Sequence, residues 1–300
     1  MGKLQWESLP PGRVAAIENL TGPVLKAESV TGGLMPGLAA VLHAGNGRYF
    51  LKAVPASSPA ACLYEREMSA NAVLPASVPA PRLQFCSDAE GWLVMVFDYL
   101  AAKDADFSPG SPQLAGVLAA LDKIGTVPAG DAVPVTQNVA ALQDKAAALL
   151  GKHPGGHPWD MYRAAINGFN DNGLVGGSLV HYDLHPGNLK VTGRGDVLAV
   201  DWAFACAGAS WIDAALLVPR LIEAGHSPTS AERLVAQMPA WRTAPPSAVT
   251  ALGALWTMFR EYKALHGPMD GRVFRAQAAE AGRSWITHRM NQTGVRLRSW

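Results

Sequence analysis

The sequence predicts an α+β fold in two lobes: an N-terminal five-stranded antiparallel sheet carrying one helix, then a larger, mainly helical C-terminal lobe. Residues 24–98 fall into short extended segments broken by glycine or polar turns, with one helical window among them. After Tyr99 the chain changes to alanine- and leucine-rich stretches separated by Pro/Gly connectors. With 300 residues and 49% apolar content there is ample material for a buried core. The expected organisation is an N-terminal lobe over 1–98, a linker over 99–107, and a helical lobe over 108–300.

Taken in order, "VLKAESV", "LAAVLHA" and "YFLKAV" read as three antiparallel strands, the last two joined by the turn Gly45-Asn46-Gly47-Arg48, whose residues tolerate positive φ. Ser57, Ser58 and Pro59 resemble a helix start, and "AACLYEREMSANAVL" puts Cys62, Met68, Ala72 and Leu74 near one face, with Glu65, Arg66 and Glu67 clustered mid-helix. "VPAPRLQF" and "GWLVMVFDYL", joined by a polar turn at 87–90, complete the five strands. Helices are expected near 112–124, 138–151 and 158–172, and again near 209–224, 229–237, 247–265 and 271–291. No internal repeat or low-complexity tract interrupts them.

Charge and cysteine usage narrow the function classes. A formal net charge of +1 gives no sign of the basic surface that nucleic-acid binding requires. Cys62, Cys86 and Cys206 are far apart and odd in number, which suggests neither a disulfide framework nor a thiolate zinc site and fits a cytoplasmic protein. The start "MGKLQWESLPPGRV" lacks an apolar secretion stretch, Trp6 stands where a myristoylation signal wants Ser or Thr, and no run of about 18 apolar residues suits a membrane span. A monomer or homodimer without nucleic-acid or membrane partners is expected.

The most informative stretch is "HYDLHPGNLK" at 181–190, followed by a turn at 193–196 and the strand "VLAVD" ending at Asp201. Taken alone, the loop reads equally well as a hydrogen-bonded Pro-Gly turn. His181 and His185 are four apart, as in a helical zinc pair, but Pro186-Gly187 makes a helix through them improbable. The hairpin that follows is expected to return Asp201 towards Asp183 and Asn188. Two carboxylates and an amide oxygen suit Mg²⁺, which keeps waters and is completed by substrate phosphates, so a nucleotide-dependent reaction is expected.

Upstream, Lys52 closes the third strand, where its ammonium would serve nucleotide phosphates. Either Glu65 or Glu67 on the next helix qualifies as its partner, and Glu67 is favoured. Gly32, Gly33 and Gly37 would let backbone approach phosphates, although no G-x-G-x-x-G is present.

With Asn188 five residues after Asp183 and Asp201 thirteen after Asn188, the chain resembles the aminoglycoside phosphotransferase and choline kinase family, a small-molecule version of the protein kinase fold. The resemblance spans roughly residues 24–220 and is strongest at "HYDLHPGNLKV", "VLAVDWAF" and "GASWIDAALL". It departs at Tyr182, where the family carries Gly, and at Asp201-Trp202-Ala203, which is not the Asp-Phe-Gly of protein kinases. The resemblance implies a bilobal protein-kinase-like fold and phosphoryl transfer from ATP or GTP to a hydroxyl of a small molecule, with antibiotic inactivation as one biological result.

By the same resemblance, Asp183 accepts the acceptor's hydroxyl proton, and Asn188 and Asp201 bind Mg²⁺. Lys52, Glu67, Gly32, Gly33, Phe97 and Tyr99 serve the nucleotide, while His181 and His185 support the loop. Trp211, Asp213, Trp256, Arg260 and Glu261 are candidates for the acceptor pocket, with Asp213 more readily read as a brace for the loop. Retention of Lys52, Asp183, Asn188 and Asp201 argues against a catalytically silent nucleotide-binding regulator. A metal hydrolase built on the histidine cluster would need a transition metal and no nucleotide. Over 203–300 six acidic residues oppose eleven basic ones, a field that gives a cationic aminoglycoside little average attraction, so nucleosides, other sugar-bearing compounds and metabolites stand beside it as acceptors.

Overall fold

A computed structural model of the chain describes residues 4–30 and 36–292. The chain divides into two compact units: residues 1–103 with 190–205, and residues 104–189 with 206–300. Residues 190–205, which the sequence reading places in the helical lobe, thus cluster with the sheet.

The first unit contains, before its sheet, a helix absent from the sequence-based expectation, α1 (Pro11–Thr21). Strands β1 (Val24–Ser29), β2 (Leu38–Ala44) and β3 (Gly47–Pro55) follow, then α2 (Ala61–Val73), β4 (Leu83–Ser87) and β5 (Trp92–Asp98). The five strands form one antiparallel sheet in the order β1-β2-β3-β5-β4. Alternation along each strand sends side chains to two faces. Leu38, Ala40, Leu42, Leu51, Ala53, Val94 and Val96 join Ile17 of α1 in one core, whereas Val54, Leu93, Met95 and Phe97 join Ala61 and Tyr64 of α2 in another. The sheet is therefore covered on both faces.

A short strand β6 (Ala102–Asp104) precedes the helices α3 (Leu114–Gly125), α4 (Val135–Lys152) and α5 (Trp159–Ile166). Helix α5 stops short of the expected residue 172 because Asn167 leaves the helix and Gly168 takes a φ of 70°. Strand β7 (Ser178–Val180) leads into a loop with a single 3-10 turn, Pro186–Asn188, and then β8 (Leu189–Thr192) and β9 (Val197–Ala199). The β8–β9 hairpin closes on Gly195, with Thr192 N–H donating to the Asp196 carbonyl at 3.0 Å. β6, β8 and β9 form a three-stranded sheet.

In the second unit, β10 (Cys206–Gly208) pairs antiparallel with β7, Cys206 opposite Val180 and Gly208 opposite Ser178. A β-carbon at Gly208 would lie 3.0 Å from Ile212 and 3.2 Å from Val135, so glycine permits this close packing. Helices α6 (Ile212–Glu223), α7 (Pro228–Val235), α8 (Pro246–His266) and α9 (Arg272–Gln292) complete the unit. Trp285 and Ile286 of α9 are fully buried and meet α8 at Gly253, where a β-carbon would clash at 2.6 Å. No helix among the described residues is long and apolar enough to cross a membrane.

Candidate active site

In the first unit the site begins with strand parity. Lys52 shares the β3 face of Phe50 and Val54 and lies opposite Met95 of β5, so its side chain leaves the sheet on the side that α2 covers. The buried stripe of α2 is Ala61, Tyr64, Glu67 and Ala70, a spacing of three that keeps one face inward. Glu65 is exposed. Cys62, grouped by its spacing with Met68, Ala72 and Leu74 near one face, is also exposed, because the buried stripe is set one residue away from it.

Glu67 is 3% exposed, and its Oε2 accepts from Lys52 Nζ at 2.5 Å while Oε1 accepts from the backbone N–H of Trp202 at 3.3 Å. Lys52 also donates to Asp201 Oδ1 at 3.1 Å. Burial by itself would lower the Lys52 pKa, but the two carboxylates outweigh it and hold the ammonium above its ordinary value, fully charged. Arg66, on the same helix turn, donates to the carbonyls of Phe204 and Ala205 at 3.2 and 2.9 Å. The sequence carries no local signal for this anchor of the segment after Asp201, since Arg66 stands there as one of three adjacent charged residues.

Phe97 is a buried member of the α2-side core, and Tyr99 stacks under the Arg48 guanidinium at 4.2 Å. Gly32 and Gly33 lie outside the described residues. Beside them Gly37 takes a φ of 120°, and a β-carbon there would come within 2.7 Å of the Ala53 carbonyl. That position admits glycine alone.

In the second unit the antiparallel pair β7–β10 sets the loop after β7 and the start of α6 close together. Asp213, in the first turn of α6, accepts the backbone N–H of His181 on Oδ2 and that of Tyr182 on Oδ1, both at 2.8 Å. Tyr182 has a φ of 72°, the left-handed conformation that its family counterpart Gly adopts without penalty. The Asp213 clamp holds a tyrosine where the backbone favours glycine. Burial raises the Asp213 pKa, while His181 and the two amides pull it back.

Within the same loop, His185 Nδ1 accepts from Gly187 N–H at 3.1 Å, and Asn188 Nδ2 donates to the Asp183 carbonyl at 2.8 Å. The amide nitrogen of Asn188 is thereby engaged, so Oδ1 is the atom of this side chain that could hold a cation. Asp183 is half-buried, and its Oδ1 lies 3.7 Å from Arg260 Nη2 on α8. Burial lowers the Arg260 pKa to about 9, with Arg220 adding to the effect and Asp183 opposing it.

The five acceptor-pocket candidates separate. Arg260 and Trp256 lie with Asp183: the guanidiniums of Arg260 and Arg220 sit 4.9 and 5.0 Å from the Trp256 ring centre. Asp213 is engaged by the loop backbone. Glu261 is buried in a different network, accepting from Tyr162 at 2.9 Å and from Arg283 at 2.6 Å. Its neighbour in sequence, Arg260, points elsewhere because adjacent helix positions diverge by about 100°. Trp211 is 2% exposed and lines a shallow cavity of about 420 Å³ with Asn172, Ser178, Thr243 and Pro245.

A family model described as the phosphotransferase enzyme family matches residues 39–247, more than two thirds of the sequence. The chain belongs to this family. This phosphotransferase matches no curated protein sequence directly. Similar solved structures include the aminoglycoside phosphotransferase from Alicyclobacillus acidocaldarius, at 14% identity and a TM-score of 0.60 over 95% of this chain and 97% of that one. They also include the choline kinase LicA from Streptococcus pneumoniae, at 17% identity and a TM-score of 0.62 over 90% and 96%. A third is a thermostable mutant of the aminoglycoside phosphotransferase APH(4)-Ia in ternary complex with ADP and hygromycin B, at 14% identity and a TM-score of 0.55 over 90% and 98%. At these identities the likeness establishes the kinase-like α+β fold that the sequence predicts.

Proposed function

We propose that this phosphotransferase moves the γ-phosphate of ATP or GTP to a hydroxyl of a small molecule. The observation that carries the reading is the Lys52 ammonium held between Glu67 and Asp201. A cation fixed by two carboxylates is pre-oriented for phosphate oxygens and cannot fold back onto another partner. The complex of the aminoglycoside phosphotransferase APH(4)-Ia with ADP and hygromycin B supports a nucleotide as phosphoryl donor.

Asp183 takes the proton from the acceptor hydroxyl as that oxygen bonds to the γ-phosphorus and the bond to the bridging β–γ oxygen breaks. The products are a phosphate monoester and the nucleoside diphosphate. Asn188, through its amide oxygen, and Asp201, through its carboxylate, are the proposed Mg²⁺ donors, and their hard oxygen chemistry fits that ion. When bound, Mg²⁺ neutralises phosphate charge. His185 closes the loop turn through Gly187, and Asp213 fixes the backbone on which Asp183 is mounted.

The test is incubation of the protein with Mg²⁺ and γ-labelled ATP or GTP across hydroxylated antibiotics and metabolites, alongside Asp183→Ala. Transfer to at least one acceptor is expected, with a loss in rate on the order of 10² to 10⁴ in the variant. Equal turnover by Asp183→Ala would remove it from the role of base.

A further inference from the structure

Resting on that phosphotransferase reading, we propose that the acceptor carries an anionic group, a carboxylate or a phosphate ester, which Arg260 binds while the acceptor's hydroxyl reaches Asp183. The argument is one of uncompensated charge. Arg220 and Arg275 of the second unit both act electrostatically on Arg260, with Asp183 and Glu223 as the opposing carboxylates. Glu223 is committed to Arg220, whose side chain is 3% exposed, at 3.1 Å. Arg275 donates to the Pro268 and Asp270 carbonyls at 3.3 Å.

Among the described residues Arg260 has neither a carboxylate at hydrogen-bond distance, as Arg220 has, nor carbonyl acceptors, as Arg275 has. Among the described residues its one ion pair is to Asp183 at 3.7 Å, too long for a hydrogen bond, and its buried Nε has no hydrogen-bond partner there. A guanidinium offers five N–H donors in a planar fork suited to a carboxylate or phosphate. The Trp256 ring, whose centre lies 4.9 Å from the guanidinium carbon, adds a cation–π contact that favours this position of the charge.

The alternative is that Arg260 only orients Asp183. A residue serving that purpose alone would be expected to make a direct hydrogen bond to the carboxylate and to use its remaining donors on the fold. Arg260 does neither. A polyamine acceptor placed here would set ammonium groups against Arg260 and Arg220, so the same charge that attracts an acid rejects an aminoglycoside.

The experiment uses acceptors in matched pairs that differ only in charge: gluconate against gluconamide, glycerate against glyceramide, glucose 6-phosphate against glucose, with kanamycin as the cationic arm. Transfer from labelled ATP and GTP and thermal protection of the intact protein are both measured. The proposal expects preference for the anionic member of at least one pair. Arg260→Gln should raise its KM on the order of 10²-fold with a smaller change in kcat, and Arg260→Lys should recover part of that loss.

Equal use of charged and neutral partners, or preference for kanamycin, overturns the proposal and leaves the phosphotransferase reading standing. A fall in kcat shared by both members of every pair assigns Arg260 to positioning and also overturns it. Absence of any nucleotide turnover sinks the phosphotransferase reading instead. In that case an Arg260-dependent thermal shift with the anions is still required, and its absence ends the proposal as well.

Discussion

Two partly buried cations, Lys52 in the first unit and Arg260 in the second, are treated in opposite ways by their surroundings. Lys52 has two carboxylates at 2.5 and 3.1 Å and a pKa held above its ordinary value, despite burial. Arg260 has one carboxylate at 3.7 Å, a second arginine nearby, and a pKa pulled down to about 9. The first charge is balanced by carboxylates of the fold, which fixes the position of the ammonium. The second is left short of negative charge, which is the condition in which a bound anion contributes most.

The largest effect should come from breaking the compensated site. Glu67→Gln leaves Lys52 with Asp201 alone and is expected to cost about 3 kcal/mol in urea unfolding. Arg260→Met removes a charge the fold compensates poorly, and its cost is expected to stay under about 1 kcal/mol or to turn into a gain. Comparable losses in the two variants would erase the contrast.

A smaller effect concerns pH. His185 is held below its ordinary range by burial first, then by Arg220 and Arg260, with Asp183 opposing them. The unfolded chain takes up the proton near pH 6.5 while the folded loop resists it, so this group's contribution is full above that pH and is lost as pH falls below it. Unfolding free energies at pH 5.5 and 7.5 should therefore differ less in His185→Gln than in the parent. An unchanged difference would place the acid sensitivity elsewhere. The smallest effect is at Tyr182: with φ at 72°, Tyr182→Ala should be about 1 kcal/mol less stable than Tyr182→Gly in thermal unfolding. The reverse order would show that the Asp213 clamp does not hold this conformation.

Much of the fold was legible because it rests on local periodicity. The strands of the five-stranded sheet, the hairpin turn at Gly45–Arg48 and the long helices α4, α8 and α9 all appear as spaced apolar residues or turn dipeptides. Helix α1 went unread because its apolar positions are sparse and Gly12 lies in its first turn, although Pro11 at the first helical position was the available signal. Strands β6 and β10 are three residues each, too short for any period to show.

By itself the sequence determined which residue types could do phosphate chemistry: a lysine on a strand, which the structure continues past it to Pro55, and an Asp, Asn and Asp at intervals of five and thirteen. Spacing is a property of the chain, so it survives without coordinates. Only the tertiary structure decided between Glu65 and Glu67, because that choice depends on which helix face meets the sheet. It also sent Asp213 to the loop backbone and Glu261 to Arg283, and left Arg260 with a single distant carboxylate. Compensation of charge is settled by distances across many residues of chain, and no local pattern encodes it.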